Sequence, residues 1–255
     1  MKRMLAFVPA LAFAIPGAFA TPAAADAPVV VELFTSQGCS SCPPADEYLG
    51  ELAGQPGVVA LGWHVSYWDY MGWTDPFASD AFTQRQRDYA QEMGERMVYT
   101  PQMVIDGRKH AVGSDRETVA ALIRAARADA KATMAVTAGP SGGWRVSITA
   151  GPAIGADVLW VSYLPEASNA VDAGENRGRK LSNYNIVRAV TLLGRWTGEA
   201  ADYDVAADGD DGLRRVVLMQ GAGGRIYGAA EAPDAAKQTA LTPTTPRITP
   251  LPAGG

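Results

Sequence analysis

The chain has 255 residues, is 47% hydrophobic and carries a formal net charge of −5. That length and apolar content support a packed core of one large or two ordinary domains, and exclude disorder for most of the chain. The acidic balance repels phosphate backbones, which excludes a nucleic-acid role.

Residues 1–20 read as a secretory signal peptide. Lys2 and Arg3 form a charged start, residues 5–19 an apolar stretch interrupted by Pro9 and Pro16, and Ala18-Phe19-Ala20 a small-x-small cleavage site. Ala25-Asp26-Ala27 offers a second site, so the cut can fall as late as residue 27. Cleavage after Ala20 removes Lys2 and Arg3 and no acidic residue, so two positive charges leave and −5 becomes −7. The apolar stretch is short and broken for a membrane span, and no later run approaches membrane length. The expectation is an exported chain without stable membrane insertion, periplasmic in a Gram-negative source and otherwise secreted.

"VVVELFT", from Val29 to Thr35, is β-branched and aromatic and predicts a strand. The next stretch, "SQGCSSCPPADEYLGEL", predicts a helix opening near Ser41, with prolines in its first turn, acidic residues at its positive end and Tyr48, Leu49 and Leu52 as an apolar stripe. "VVALGWHV" predicts a second strand, which makes a βαβ unit with parallel strands. An aromatic loop, "SYWDYMGWTDPF", precedes a polar helical segment over residues 76–94. Thr100-Pro101 opens a third strand, Asp106-Gly107 signals a hairpin, and Ser114 with Glu117 predicts a capping box on a further helix. After Lys131 the periodicity changes to seven short strands separated by glycine-rich turns, the pattern of a small antiparallel sandwich. The domain expectation is therefore 28–131 for an α/β domain, 132–232 for a β-sandwich domain and 233–255 for a disordered Pro/Thr-rich tail.

Cys39 and Cys42 are the two cysteines of the chain. One pair cannot be a disulfide framework of the kind that staples small secreted domains. A C-x-x-C between a strand and a helix in a βαβ unit instead suggests a redox dithiol. A helix N-terminus favours a negative sulfur, so the Cys39 thiol is expected below its ordinary value, attacking as a thiolate from an exposed position, while Cys42 resolves the mixed disulfide. A local structural staple is the alternative. Parallel strands share an end, so the loop over residues 66–75 and the Thr100-Pro101 entry both approach the dithiol.

With that order of elements, the C-x-x-C and the Thr-Pro entry in view, residues 28–131 resemble the thioredoxin superfamily. The resemblance implies a cis bond before Pro101, with Pro101 facing the dithiol and the Thr100 backbone pairing with a substrate strand. More closely, "VELFTSQGCSSCPPAD", "WHVSYWDYMGWTDPF", "YTPQMVIDG" and "GENRGRKLSNYNIVR" resemble the exported thioredoxin-like family catalogued as domain of unknown function 1223. The fold class implied is an α/β thioredoxin-like domain followed by a small antiparallel β-sandwich. Gly38 replaces the aromatic residue usual in thioredoxins, and Ser40-Ser41 lacks the histidine of strongly oxidising relatives. Reductase or isomerase behaviour is therefore expected over strong oxidation.

Glu32 shares a strand face with Val30 and Phe34 and is a candidate proton relay below the dithiol. Trp68 is a candidate substrate rim, with packing of the loop itself as the alternative. His64 and Met103 could join the cysteines in a Cu(I) site, although a strand histidine is more often a satisfied core residue, and His110 is a weaker candidate still; no metal ligand is assigned. "GENRGRK" could steer an acidic partner or be a solvated loop, and "AADGDDG" reads as a turn rather than a calcium loop. The leading function is thiol–disulfide exchange on exported protein or peptide thiols, with electrons from a redox partner and no cofactor. A Cu(I) metallochaperone and a non-catalytic binding module are the alternatives.

Overall fold

The computed structural model describes residues 27–152, 154–207 and 212–233. The segment expected to be a signal peptide, the core of the acidic turn at 206–212 and the Pro/Thr-rich tail beyond residue 233 lie outside the described residues.

The first half runs β1 (Val29–Thr35), α1 (Pro43–Ala53), β2 (Val58–His64), α2 (Asp80–Met93), β3 (Gln102–Ile105), β4 (Lys109–Val112) and α3 (Arg116–Ala126). β1 and β2 are parallel in register from Val29 opposite Val58 to Thr35 opposite His64, and β3 is antiparallel to β1 with Phe34 opposite Gln102. Asp106 and Gly107 both take positive φ in the β3–β4 turn. The cap of α3 differs from the expected box: the Thr118 N–H is accepted by the Asp115 carboxylate, one residue past Ser114.

All seven later strands form, as β5 (Met134–Ala138), β6 (Trp144–Ile148), β7 (Ala156–Ala170), β8 (Lys180–Trp196), β9 (Ala201–Val205), β10 (Arg214–Gly221) and β11 (Ile226–Glu231). Their arrangement corrects the expectation of a separate sandwich domain. β7, β8, β10 and β11 extend the first sheet, giving one eight-stranded mixed sheet in the order β11-β10-β7-β8-β2-β1-β3-β4, while β5, β6 and β9 make a three-stranded antiparallel sheet. Two glycines permit the join. A Cβ on Gly62 of β2 would lie 3.0 Å from the Tyr184 carbonyl of β8, and one on Gly50 of α1 would strike the Tyr184 ring at 2.8 Å. Asn185 completes the seam by donating its amide N–H to the Ala60 carbonyl at 2.8 Å. Lys131, at the expected boundary, is tied back to Asp106 and to the Pro28 carbonyl.

Alternation along the strands then sorts the core into layers. Val30 and Phe34 pack with Phe82 and Tyr89 of α2 and, across the seam, with Val161, Val187, Val216 and Leu218. The opposite face carries Val31 and Leu33 against Ala45, Leu49 and Leu52 of α1 and Val119 and Ile123 of α3. Beyond the seam the small sheet covers β7 and β10, with Trp144, Val146 and Ile148 on Val158, Trp160, Val217 and Met219. Sandwich packing is thus local to one end of a continuous sheet. Each fully buried aliphatic chain contributes about 2 kcal/mol, so the four that cross the seam bind the halves together firmly.

Candidate functional site

The cysteines sit between β1 and α1. Cys39 and Cys42 are joined in a disulfide, and Cys42 is the N-cap of α1, with no side chain capping the helix. Ser41 is therefore not the cap. The expected exposure of Cys39 is also corrected: both cysteines are 0% exposed, whereas Ser40 and Ser41 between them face solvent. The tight turn produces this arrangement. The Cys39 N–H donates to the Ser36 carbonyl at 3.1 Å, the Cys42 N–H to the Cys39 carbonyl at 3.2 Å, and the Gly38 N–H to Ser36 Oγ at 3.0 Å.

Two of the converging segments arrive where topology places them. Trp68 Nε1 donates to Thr100 Oγ1 at 2.8 Å, and a Cβ on Gly38 would lie 3.1 Å from the Trp68 Cβ. Trp68 thus occupies space that a side chain at position 38 would need. The Thr100-Pro101 bond is cis. A Cβ at Gly113 would lie 3.0 Å from both Ala45 and Leu33 and 3.2 Å from Pro101, so Pro101 closes on the first turn of α1.

Glu32 does not lie below the dithiol. Its strand face is the one covered by α2, where its carboxylate accepts from Arg85 Nε at 2.7 Å and from the Tyr89 hydroxyl. Residues 31, 33 and 35 of β1 face α1 instead. The carboxyl on the dithiol side is Asp46, four residues after Cys42 and hence on the same face of α1. The Thr35 hydroxyl donates to it at 3.0 Å. Burial pushes the Asp46 carboxyl up to about 7, opposed by the nearby His64 and by hydrogen bonds from Thr35 and Asn183.

His64 belongs to the same buried cluster. Its Nδ1 is 2.7 Å from Asp75 Oδ2, and that oxygen also accepts the Gln37 N–H at 2.8 Å. Burial alone would lower the imidazole, but the Asp75 carboxylate holds it above its ordinary value; burial would raise Asp75, but His64 and the backbone N–H groups of Gln37 and Phe77 hold it below. The Gln37 amide donates to Asn183 Oδ1 at 2.8 Å and its carbonyl oxygen accepts from Trp73 Nε1 at 3.2 Å. Met103 is buried in the layer under α1, and His110 pairs with Tyr99 and Glu95 at a distance from the dithiol in the chain. Among the described residues no group of three or more His, Cys, Asp or Glu side chains is placed to hold a metal ion.

The "GENRGRK" segment keeps Glu175, Arg177, Arg179 and Lys180 exposed but buries Asn176. It joins β7 to β8 and closes over the dithiol turn. Asn176, fully buried, donates one amide nitrogen to the carbonyls of Gln37 and Cys39, each at 2.9 Å, and Arg179 holds its oxygen at 2.7 Å. Glu175 accepts the Ser40 N–H at 2.9 Å. Asn176→Ala strands the buried Gln37 carbonyl and leaves the Cys39 carbonyl with the Cys42 N–H alone, and is expected to lower stability by about 2 kcal/mol, read as a lower urea midpoint. The same variant is expected to be reduced faster by dithiothreitol than wild type, because the turn over Cys39 loosens. Asp46 was legible as an i+4 neighbour of Cys42. Asp75, Glu175, Asn176 and Asn183 have no local signature, since their contacts span 38 to 146 residues of chain.

A family model described as a protein of unknown function, DUF1223, matches residues 30–220. No curated protein matches the chain. The crystal structure of protein AGR_C_4864 from Agrobacterium tumefaciens is 33% identical, with a TM-score of 0.70 over 80% of this chain and 93% of that one. HBP35 of Porphyromonas gingivalis is 12% identical, with a TM-score of 0.53 over 90% of this chain and 80% of that one, a likeness of fold alone.

Proposed function

The chain belongs to the DUF1223 family, and we propose that it is an exported thioredoxin-like thiol–disulfide oxidoreductase acting on protein or peptide thiols. The observation that carries this reading is a Cys39–Cys42 disulfide at a strand–helix junction, with a buried carboxyl near neutrality one turn along the helix from Cys42. The order of elements through α3 and the cis bond before Pro101 support the thioredoxin-like part of the reading. A Cu(I) carrier needs two free thiolates, whereas exchange has this disulfide as one of its two end states.

In the reducing direction, the Cys39 thiolate attacks one sulfur of a substrate disulfide. That bond breaks, a Cys39–substrate disulfide forms and one substrate thiolate leaves. Cys42 then attacks Cys39 Sγ, its proton passes to Asp46, the second substrate thiol is released and the Cys39–Cys42 bond is restored. A dithiol partner returns two electrons and two protons to start the next cycle. Thr100 and Trp68 form the rim on which a substrate strand would lie. Ser40-Ser41 places no histidine beside the thiolate, which favours reductase or isomerase behaviour over strong oxidation.

Trapping tests the reading. Cys42→Ser, expressed with its leader in its own compartment, is expected to accumulate mixed disulfides at Cys39 that dithiothreitol releases, and reduced wild type is expected to reduce insulin. Absence of both adducts and insulin reduction would overturn it.

A further inference from the structure

α1 opens on Pro43 and Pro44, so its first two positions carry no N–H. The next two donors, the Ala45 and Asp46 N–H groups, are both spent on the Cys42 carbonyl, at 2.9 and 3.1 Å. The N–H groups of Gly38, Cys39, Ser40 and Cys42 are engaged as well, with Ser36, Glu175 and the Cys39 carbonyl. The helix therefore lacks the free amides that would ordinarily support a sulfur anion at its start. One donor does reach the sulfur. Ser41 Oγ lies 3.4 Å from Cys39 Sγ, and because that sulfur is in a disulfide and has no proton, the hydroxyl is the donor.

We propose that Ser41 is a catalytic residue of the dithiol, its hydroxyl donating to Cys39 Sγ and stabilising the thiolate formed on reduction. The proposal rests on the exchange reading for its catalytic meaning, but the hydrogen bond and its effect on the thiol do not. When a dithiol reductant such as dithiothreitol opens the Cys39–Cys42 bond, it is oxidised to its own cyclic disulfide. Two electrons pass to the cysteine sulfurs, and the Cys39 proton is left to solvent. The Ser41 O–H then faces an anion rather than a weakly accepting disulfide sulfur, and a hydrogen bond to a charged acceptor is the stronger one. Ser40, also exposed, has no side-chain bond to the sulfur among the described contacts and supplies the control.

The test uses the reduced mature chain and measures the rate of iodoacetamide alkylation at Cys39 against pH, with the modified cysteine identified by mass spectrometry. Ser41→Ala is expected to alkylate about fivefold more slowly at pH 7, its midpoint rising by about 0.7 unit. Ser41→Thr, which keeps the hydroxyl, is expected to remain within about twofold of wild type, and Ser40→Ala to match it. Loss of thiolate support makes the reduced form less stable. The equilibrium constant for disulfide formation against glutathione in Ser41→Ala is therefore expected to rise about fivefold, a potential about 20 mV more negative. Equal midpoints in Ser41→Ala and Ser40→Ala would overturn the assignment whatever the activity. A shifted midpoint in a protein that reduces no disulfide substrate would support Ser41 as the donor while sinking the exchange reading itself.

Discussion

Cys39→Ser is expected to abolish disulfide exchange, with insulin reduction falling by at least about a thousandfold, because Cys42 alone has no partner sulfur with which to release a mixed disulfide. Cys42→Ser should behave differently. It keeps the attacking sulfur and the Ser41 contact, so a first attack proceeds and stalls as a mixed disulfide, with one substrate thiol released per chain and no turnover. The asymmetry follows from position. Cys42 caps α1 and has Asp46 one turn ahead of it, whereas Cys39 is bracketed by Trp68 beside Gly38 and by the exposed Ser40 and Ser41. Equal trapping by both single variants would assign no order to the pair. Equal activity in wild type and Cys39→Ser would remove the dithiol from the mechanism.

Asp46→Asn is expected to change both the pH dependence of stability and the second step of exchange. The Asp46 carboxyl sits near 7 in the folded chain against an ordinary value of 3.8, because burial disfavours its charged form. Between about pH 4 and 7 the folded state therefore holds a proton that the unfolded state has released. Stability is greatest below that window and falls as pH rises through it, by up to ~1.4 kcal/mol per pH unit. His64, held above 6.5 by Asp75, has the same sign, with stability lost as pH rises through its folded value. Asp75, held below 3.8, has the opposite sign, its contribution being lost as pH falls through its folded value. The oxidised wild type is thus expected to lose on the order of 2–3 kcal/mol from pH 5 to pH 8. Asp46→Asn keeps an acceptor for Thr35 without the titration, and should flatten most of that slope in urea melts with the disulfide intact. Parallel slopes in the two proteins would contradict the burial of a titrating carboxyl. In exchange, loss of the proton acceptor is expected to slow release of the mixed disulfide by about a hundredfold, leaving the first attack unchanged.

The halves of the molecule differ in how far local pattern reached. "VVVELFT", the stripe Tyr48, Leu49 and Leu52, and "VVALGWHV" each declare their element within a few residues, because strand and helix periods are properties of neighbouring side chains. The seven later strands were legible for the same reason. Their partners were not: an antiparallel strand with one apolar face pairs as readily within a sandwich as on the open edge of another sheet. The traces of the join in the sequence are Gly50 inside a helix and Gly62 inside a strand, each marking a close approach without saying to what.

The candidate site divides in the same way. The spacing of Cys39, Cys42 and Asp46 is set by one short stretch of chain and is readable there. That Val30, Glu32 and Phe34 share a face was readable too, but which face α1 covers is a matter of how the crossover packs, and it sent Glu32 to Arg85 instead of to the dithiol. The sequence by itself determined the cysteine pair, the helix that follows it and the strands that flank it, because those depend on contacts a few residues apart. Only the tertiary structure decided that Asp75, Glu175, Asn176 and Asn183 surround that dithiol. Buried carbonyls and amides must find partners wherever the folded chain brings them: Asp75 comes from the loop after β2, and Glu175, Asn176 and Asn183 from across the seam between the two halves.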